Sequence, residues 1–331
     1  MRYLHGSAAG VAIVTLMAGC VVGGAIKPTL EHPTEMDVAR LWQEPTDLAT
    51  RDLFHGVGGA SLAPDPAKPF AFVQADTSGY SSGYDVRDAN GVEWSVKLGP
   101  EAQTEVVASR LLWALGYHQP PTFYVSSWTM TGAQSGKQEA ARFRPKLPDR
   151  KVVADWSWYE NDFINTQPFK GLVAVNVMLN NWDWKTSNNK IYEITAGDQT
   201  EQIYVVQDLG ASLGKTDYPR WLAWFPSRGF GQGSRNNLAD FEAQGFIKQV
   251  SGEQVQFYYR GIHASLLDLL TARDVIWAAG WMDKLSDTQW HDAFRAAGYS
   301  DEESRRFVAK LKSKVAEGLR LAHSQQLERE G

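Results

Sequence analysis

The chain has almost no cysteine and few histidines. Its single cysteine, Cys20, excludes an intrachain disulfide and a thiolate metal cluster. The seven histidines never fall at the spacing that zinc sites use, so no zinc centre is predicted. The formal net charge is −5, which argues against a nucleic-acid partner held by a general basic field. The sequence also has no internal repeat and no low-complexity tract.

The N-terminus lacks an apolar run long enough for an ordinary membrane span. Arg2 precedes a short apolar run at residues 8–19, which is typical of the hydrophobic region of a signal peptide. The run ends in Leu16-Met17-Ala18-Gly19-Cys20, which resembles the bacterial lipobox. We therefore expect a lipid anchor on Cys20 and a location in the bacterial cell envelope, with Val21 favouring the outer membrane. The alternative is a plain signal peptide in which Cys20 has no role.

Length and composition are those of a globular protein. The chain has 331 residues, of which 43% are hydrophobic and 21% charged, enough for one large or two medium domains. The 13 Trp and 12 Tyr are expected mainly in the core, although Trp182, Trp184, Trp221 and Trp224 could instead face a substrate. We divide the chain into a signal peptide (1–20), a tether and N-terminal extension (21–66), a small β-rich lobe (67–148) and a larger, mainly helical lobe (149–331).

Periodicity and turn residues predict the elements of both lobes. Gly99 and Pro100 suit the start of a helix that Gly116 ends, and Ser300 with Glu303 forms a capping box at the start of the last helix. Asp37 is expected to cap a short helix ahead of Pro45. The predicted strands are 70–76, 84–88, 92–98, 122–130, 141–148, 189–194 and 202–208. From about residue 150 the chain is expected to be mainly helical. The predicted helices there are 168–182, 262–270, 272–284 and 286–297.

The most informative segments are NNWDWKTSNNKIYEI (180–194) and IYVVQDLG (203–210). A carboxylate in a loop, an amide five residues later and a second carboxylate at a strand end can hold Mg²⁺ and orient a hydroxyl for phosphoryl transfer. Asp183 would then be the catalytic base or orient the acceptor hydroxyl, Lys185 would steady the γ-phosphate, and Asn188 and Asp208 would bind Mg²⁺ or Mn²⁺. The alternative is helix capping and turn formation, which Asn and Asp commonly perform.

Phosphate-binding candidates lie upstream in the expected order. Lys97 ends an apolar strand, where a buried lysine needs a carboxylate, and Glu105 on the next helix is the predicted partner, with Glu101 as its competitor. The loop between the first two strands offers backbone amides and hydroxyls to a nucleotide through Gly79, Ser81, Ser82 and Gly83. A solvent-exposed lysine and an ordinary hairpin turn are the alternatives.

These motifs together resemble the protein-kinase-like superfamily, with the HipA-type kinases as the nearest pattern and phosphatidylinositol 4-kinases and secretory-pathway kinases as more distant relatives. Asn181-Trp182-Asp183 to Asn188 is similar to the HipA-type catalytic loop, and Asp208-Leu209-Gly210 fills the position of the DFG motif. The sequence departs from the His-Arg-Asp pattern because Trp182 precedes Asp183. The resemblance covers about residues 67–215.

The resemblance implies an α+β, two-lobed protein-kinase-like fold, in which the small lobe carries one helix equivalent to αC. It also implies binding of ATP or another nucleotide with a divalent metal, and phosphoryl (or nucleotidyl) transfer to a protein or small hydroxyl acceptor. The bacterial envelope is not expected to hold an ATP pool. Three explanations therefore remain open. The protein could use ATP supplied from elsewhere, it could use another phosphate donor, or it could be a catalytically inactive pseudokinase that serves as a binding module. No pattern in the sequence fixes an oligomeric state.

Overall fold

The computed structural model describes residues 25–76, 82–216, 233–261 and 263–330, with side chains to residue 322 in the last helix. The strands in these residues are β1 (Lys27–Pro28), β2 (Phe70–Asp76), β3 (Gly83–Arg87), β4 (Glu93–Leu98), β5 (Phe123–Val125), β6 (Trp128–Thr131), β7 (Gly136–Gln138), β8 (Ala141–Pro145), β9 (Arg150–Asp155), β10 (Glu160–Asn161), β11 (Asn189–Ala196), β12 (Gln199–Val206), β13 (Ile247–Ser251) and β14 (Gln254–Phe257). The helices are α1 (Glu35–Ala39), α2 (Glu101–Ala114), α3 (Gln167–Met178), α4 (Leu238–Ala243), α5 (Ala272–Asp283), α6 (Asp287–Arg295) and α7 (Asp301–Glu330).

The N-terminal lobe is a seven-stranded sheet in the order β5-β8-β4-β3-β2-β6-β7. Strand alternation gives it two unlike faces. One face carries an aromatic and aliphatic core that includes Trp94, Val96 and Phe143, all at most 2% exposed. The opposite face carries Lys97, because side chains that are directly opposite in the β3, β4 and β8 pairings share one face. This polar face looks toward α2 and the C-terminal lobe.

Helix α2 packs between the sheet and the C-terminal lobe, and almost its whole surface is buried. It begins directly after Gly99-Pro100, with Pro100 at the N-cap, and it ends before Gly116, whose φ of +97° suits glycine. Its apolar residues belong to the same core as α3 and the C-terminal helices. Burial on both sides explains why its sequence shows only a weak one-sided apolar pattern.

The C-terminal lobe is built on α3, which packs against α5 and α7, and on the three-stranded sheet β12-β11-β9. Thr166 caps α3 by accepting a hydrogen bond from the Phe169 amide at 3.3 Å. The predicted strands at 189–194 and 202–208 are confirmed as the hairpin β11-β12, in which Asn189 pairs with Val206 and Ala196 with Gln199, so the connecting turn is shorter than the gap between the predicted strands. The capping box of Ser300 and Glu303 is also confirmed. None of the described helices is long and apolar enough to cross a membrane.

The described part of the predicted tether is packed against the protein. Strand β1 pairs in parallel with β10, and Leu41 and Leu53 are at most 1% exposed. The prediction that Asp37 caps the short helix is wrong in detail. Thr34 is the N-cap of α1, and Asp37 is the third residue, whose carboxylate accepts from the Thr34 amide and hydroxyl.

Three further predictions of secondary structure are wrong. The strand expected at 122–130 is divided into β5 and β6, because β5 pairs with β8 whereas β6 pairs with β2 across the sheet. The region after residue 150 begins with β9, an exposed edge strand without an apolar period, rather than with helix. The segment predicted as a helix at 262–270 is a 3₁₀ helix over Ala264–Leu269. The hairpin β13-β14 was not predicted.

A buried lysine joins α7 to the end of α3. Lys314 is 1% exposed, and its amine donates to the Met178 carbonyl at 2.8 Å and to Asn180 Oδ1 at 2.7 Å. Asn180 has the left-handed backbone (φ +53°) that ends the helix. Burial lowers the pKa of Lys314 well below its usual value; Lys310 lowers it further and Glu317 opposes the change. The amine also lies 4.3 Å from the ring centroid of Phe241.

We predict that Lys314 makes stability rise with pH. Because the folded state disfavours the charged amine, the unfolded state binds more protons between the lowered pKa and the free-lysine value of about 10.4. In that window the free energy of unfolding should increase by up to about 1.4 kcal/mol per pH unit more in the wild type than in Lys314→Met. Urea unfolding at several pH values measures the slope, with the exposed Lys312→Met as control. Equal slopes in the wild type and Lys314→Met would contradict the prediction.

Candidate active site

Lys97 is the centre of the candidate site. Its ammonium lies 2.8 Å from Glu101 Oε2 and 3.9 Å from Glu105 Oε2, and it also donates to Asp208 Oδ1. The side chain is only 15% exposed. Burial alone would lower the pKa of Lys97, but the carboxylates of Glu105, Asp208 and Glu101 outweigh burial and raise it. Lys97 is therefore held charged at the point where β4 meets α2.

Glu105 is the most deeply buried carboxylate of the site and is surrounded by cations. Its Oε1 lies 2.6 Å from Arg144 Nη2 and 3.3 Å from Arg142 Nε, and Lys97 approaches its Oε2. Burial favours the neutral acid, but Arg142, Arg144 and Lys97 together keep the pKa of Glu105 below its usual value. Glu105 is thus an ionised anchor that fixes α2 against the polar face of the sheet.

Lys97 does not pair with Glu105 alone, as expected, but contacts both Glu101 and Glu105. Glu101 makes the shorter contact to Lys97, whereas Glu105 is held mainly by the two arginines. Sequence reasoning missed Arg142 and Arg144. The signal was present in Arg142-Phe143-Arg144, because an apolar residue between two arginines places both charges on one face of a buried strand.

Glu101 also connects the site to the segment that follows residue 232. The Arg235 guanidinium donates to Glu101 Oε1 and lies 4.8 Å from the ring centroid of Trp182. The Trp182 indole donates to the Ser234 carbonyl at 2.9 Å. Trp182 occupies the position of the basic residue in the His-Arg-Asp pattern. The guanidinium of Arg235, which lies over the Trp182 ring, supplies a positive charge at this position instead.

The Asp208-Leu209-Gly210 segment is docked on the first turn of α2. Thr104 Oγ1 donates to the Gly210 carbonyl at 2.7 Å. A side chain at position 210 would meet Glu101, since an added Cβ would lie 2.5 Å from the Glu101 Cβ, so the close approach requires glycine. Asp208 itself has a left-handed backbone (φ +55°), which is strained for a non-glycine residue. Its side chain is 42% exposed and therefore accessible to a ligand.

Asp183 lies in the loop between α3 and β11. Its Oδ2 accepts from Lys185 Nζ at 2.7 Å, and Asn188 Nδ2 donates to its backbone carbonyl at 3.0 Å. Asp183 Oδ1 is buried and has no hydrogen-bond partner among the described residues. Burial raises the pKa of Asp183; Lys185 opposes this effect, while the negative charges of Asp208 and Glu101 add to it. These interactions bring Asp183 into the same electrostatic site as Lys97.

Buried amides hold the Asp183 loop in place. Asn181 Nδ2 donates to Asn176 Oδ1 at 2.9 Å, and Asn181 Oδ1 accepts from the Asp183 amide at 3.3 Å. The Tyr259 hydroxyl donates to the Asn181 carbonyl at 2.7 Å, and Asn180 Nδ2 donates to the Gly214 carbonyl at 2.7 Å. The loop therefore depends on α3, on the chain after Asp208 and on the segment after β14. Sequence analysis did not identify these positioning residues.

The expected phosphate loop is described only in part. Gly79 and Ser81 lie outside the described residues. Gly83 is paired directly with Lys97, and a Cβ at position 83 would lie 2.3 Å from the Val96 carbonyl oxygen. The Ser82 carbonyl accepts from the Leu98 amide at 3.0 Å. Ser82 and Gly83 thus stand beside Lys97 at the rim of the site, and their role in nucleotide binding stays a prediction.

The proposed substrate-facing role of the tryptophans is wrong for Trp184. Trp184 is 1% exposed and packs against Trp158 and Tyr259, with ring centroids 5.5 and 5.4 Å away. Trp182 is 5% exposed and is used in the contact with Arg235. Trp221 and Trp224 lie outside the described residues.

The donor set suits a hard divalent cation that also binds phosphate oxygens. Mg²⁺ prefers oxygen ligands and usually takes only one or two carboxylates from the protein. Asp208 offers an accessible carboxylate and Asn188 an amide oxygen, and these are the two metal ligands predicted from the sequence. No group of three or more His, Cys, Asp or Glu side chains among the described residues could hold a metal alone. Metal binding at this site therefore stays a prediction.

The two-lobed α+β architecture predicted from the sequence is confirmed. A sheet lobe carries the lysine and one helix with its carboxylates, and a mainly helical lobe carries the Asp183 loop and the hairpin that leads to Asp208. No protein-family model matches the chain, and no curated protein matches it.

Several solved kinase structures are similar to this chain. The Helicobacter pylori proinflammatory kinase CtkA has a TM-score of 0.44 and 13% identity, over 78% of this chain and 98% of that chain. The Golgi casein kinase with Mn and ADP bound has a TM-score of 0.37 and 10% identity, over 80% of this chain and 75% of that one. The Rio2 kinase complex with ADP, Mg²⁺ and phosphoaspartate from Chaetomium thermophilum has a TM-score of 0.29 and 12% identity, over 74% and 72%.

We predict that the two carboxylates of α2 differ in their contribution to stability. Glu105→Gln leaves Arg142 and Arg144 buried without their anion, which should lower the free energy of unfolding by about 3–5 kcal/mol. Glu101→Gln should cost only about 1–2 kcal/mol, because Lys97 keeps two other carboxylates and Arg235 keeps its contact with Trp182. Denaturant unfolding of both variants measures the difference. A larger effect at Glu101 would contradict the assignment of Glu105 as the anchor.

Proposed function

We propose that this protein is a metal-dependent phosphotransferase that moves a phosphoryl group from a nucleotide or related phosphate donor to a hydroxyl acceptor. The observation that carries the proposal is the meeting of Lys97, the two α2 carboxylates, Asp208 and Asp183 in one electrostatic site. A charged lysine beside an accessible aspartate is what binding of a metal–phosphate complex requires. Burying several ionised groups together is costly, and perturbed ionisable groups often cluster at functional sites, which supports the proposal.

Each side chain has a role that follows from its position. Lys97 would bind donor phosphate oxygens, with Glu101 and Glu105 fixing its ammonium. Asp208 and Asn188 would hold the metal, which neutralises phosphate charge when bound, and Asp208 would then exchange its contact with Lys97 for that cation. Asp183 would accept the proton of the acceptor hydroxyl or orient it, and Lys185 would steady the transferred group.

The metal site is tested by Asp208→Ala. Removing the accessible carboxylate should abolish the metal-dependent binding of a phosphate donor without unfolding the protein, because the side chain is 42% exposed and Lys97 keeps its contacts with Glu101 and Glu105. A donor at about 100 times its Kd adds about 2.7 kcal/mol to folding stability, which a thermal shift detects. ATP, GTP and inorganic tripolyphosphate are compared with Mg²⁺, Mn²⁺ or EDTA. Asp198→Ala in the exposed β11-β12 turn is the control. An unchanged shift in Asp208→Ala would overturn the metal assignment.

Asp183→Asn separates an active kinase from an inactive binding module. The amide cannot act as a base, so phosphoryl transfer should fall by about 10²–10⁴-fold while donor binding persists. The measurement is transfer of labelled phosphate to a mixture of envelope proteins and small hydroxyl compounds, beside a donor-binding assay. Donor binding without transfer in the wild type, and no effect of Asp183→Asn, would support the binding-module alternative.

The proposed place of action is the membrane surface, through a lipid on Cys20. The lipobox-like sequence supports this proposal, and Cys20 lies outside the described residues. We expect the full chain expressed in a Gram-negative bacterium to fractionate with membranes and to incorporate labelled fatty acid. Cys20→Ser should lose the label and move to the soluble fraction, whereas Val21→Ala should behave like the wild type. Membrane association of Cys20→Ser without a label would contradict lipid anchoring.

A further inference from the structure

Glu101 contacts a cation with each of its two carboxylate oxygens. Its Oε2 lies 2.8 Å from Lys97 Nζ, and its Oε1 accepts a hydrogen bond from the Arg235 guanidinium. The side chains of all three residues are mostly buried. Charges in such surroundings are screened much less by solvent and salt than charges on an open surface. Arg235 can therefore influence Lys97 through the carboxylate that the two cations share.

The chain on both sides of Arg235 is fixed to other parts of the site. The Ser234 amide donates to the Lys215 carbonyl at 2.8 Å, so this segment is joined to the chain that follows Asp208. On the other side, Asn236 Nδ2 donates to Gln103 Oε1 on α2 at 3.0 Å. These hydrogen bonds hold the backbone of Arg235 beside the first turn of α2, where its guanidinium reaches the carboxylate.

A donor phosphate can use the charge of Lys97 only if the carboxylates around this lysine are neutralised by other cations, because they would otherwise repel the phosphate. Glu105 contacts both arginines of β8. Asp208 would bind the metal of the donor complex. For Glu101, the neutralising cation is Arg235. Each carboxylate that contacts Lys97 is thus matched by a positive charge other than the lysine itself.

We infer that Arg235 is a positioning residue of the donor site, which neutralises Glu101 and so leaves the charge of Lys97 available to a metal-bound phosphate donor. This inference rests on the proposed function, because it concerns the same site. Arg235 acts through Glu101 and needs no contact of its own with the donor. Without the guanidinium, the ionised carboxylate would face Lys97 alone and would repel the incoming phosphates.

Titration calorimetry on the full chain, with Mg²⁺–ATP and Mg²⁺–tripolyphosphate as probes, tests the inference. Arg235→Gln should weaken the binding of both probes about tenfold or more, because it removes one positive charge from a buried network. Arg235→Lys keeps the charge, so its dissociation constants should stay within about threefold of the wild-type values. Arg305→Ala, at an exposed position of α7, is the control for loss of an arginine elsewhere. Unchanged binding in Arg235→Gln would overturn the inference.

A double variant separates the effect of charge from damage to the fold. In Arg235→Gln combined with Glu101→Gln, the amide at position 101 can still accept from Lys97 but carries no charge that needs neutralising. Donor affinity should therefore return to within about threefold of the wild type. Binding no tighter than that of Arg235→Gln alone would overturn the inference and show that Arg235 acts by supporting the structure. A wild-type protein that binds neither probe with metal present would overturn the proposed function as well.

Discussion

The structure around the site depends on keeping the ammonium of Lys97 charged while it is mostly buried. Desolvation acts against the charge, and at an effective dielectric constant of about 20 one opposite charge about 4 Å away contributes about 4 kcal/mol. Three carboxylates, from α2 and from the segment after β12, therefore outweigh the cost and raise the pKa of Lys97. The same condition explains why strand β4, helix α2 and the Asp208 segment must meet at one point.

Helix α2 keeps Lys97 charged and is itself held in place, because its polar residues face the lysine and its apolar residues pack in the core. Its carboxylates at 101 and 105 are one turn apart and reach the same lysine, while its apolar residues extend the core of the C-terminal lobe. The excess of positive charge around Glu105, from Arg142 and Arg144, fixes the helix to the sheet. On the other side, the Asp183 loop is held by buried amides rather than by apolar contacts, which fixes backbone groups in one geometry.

Much of the fold was predictable where a short sequence pattern is compatible with only one local structure. The strands at 70–76 and 92–98, the hairpin after Asn188 and the capping box at Ser300 agree with the structure, because alternation, turn residues and caps act within a few residues. Strand β9 escaped prediction because it is an exposed edge strand, and the division of 122–130 into two strands depends on partners far along the chain.

The sequence by itself determined the order of the polar groups: Lys97, a helix with two glutamates, the Asp183 loop with Asn188, and Asp208 at a strand end. Only the tertiary structure decided which of them are partners. Glu101 lies closer to Lys97 than Glu105 does, and Arg142, Arg144 and Arg235 complete the charge balance. The physical reason is that ionisation of a buried group depends on charges brought together in space, and residues more than a hundred positions apart supply them here.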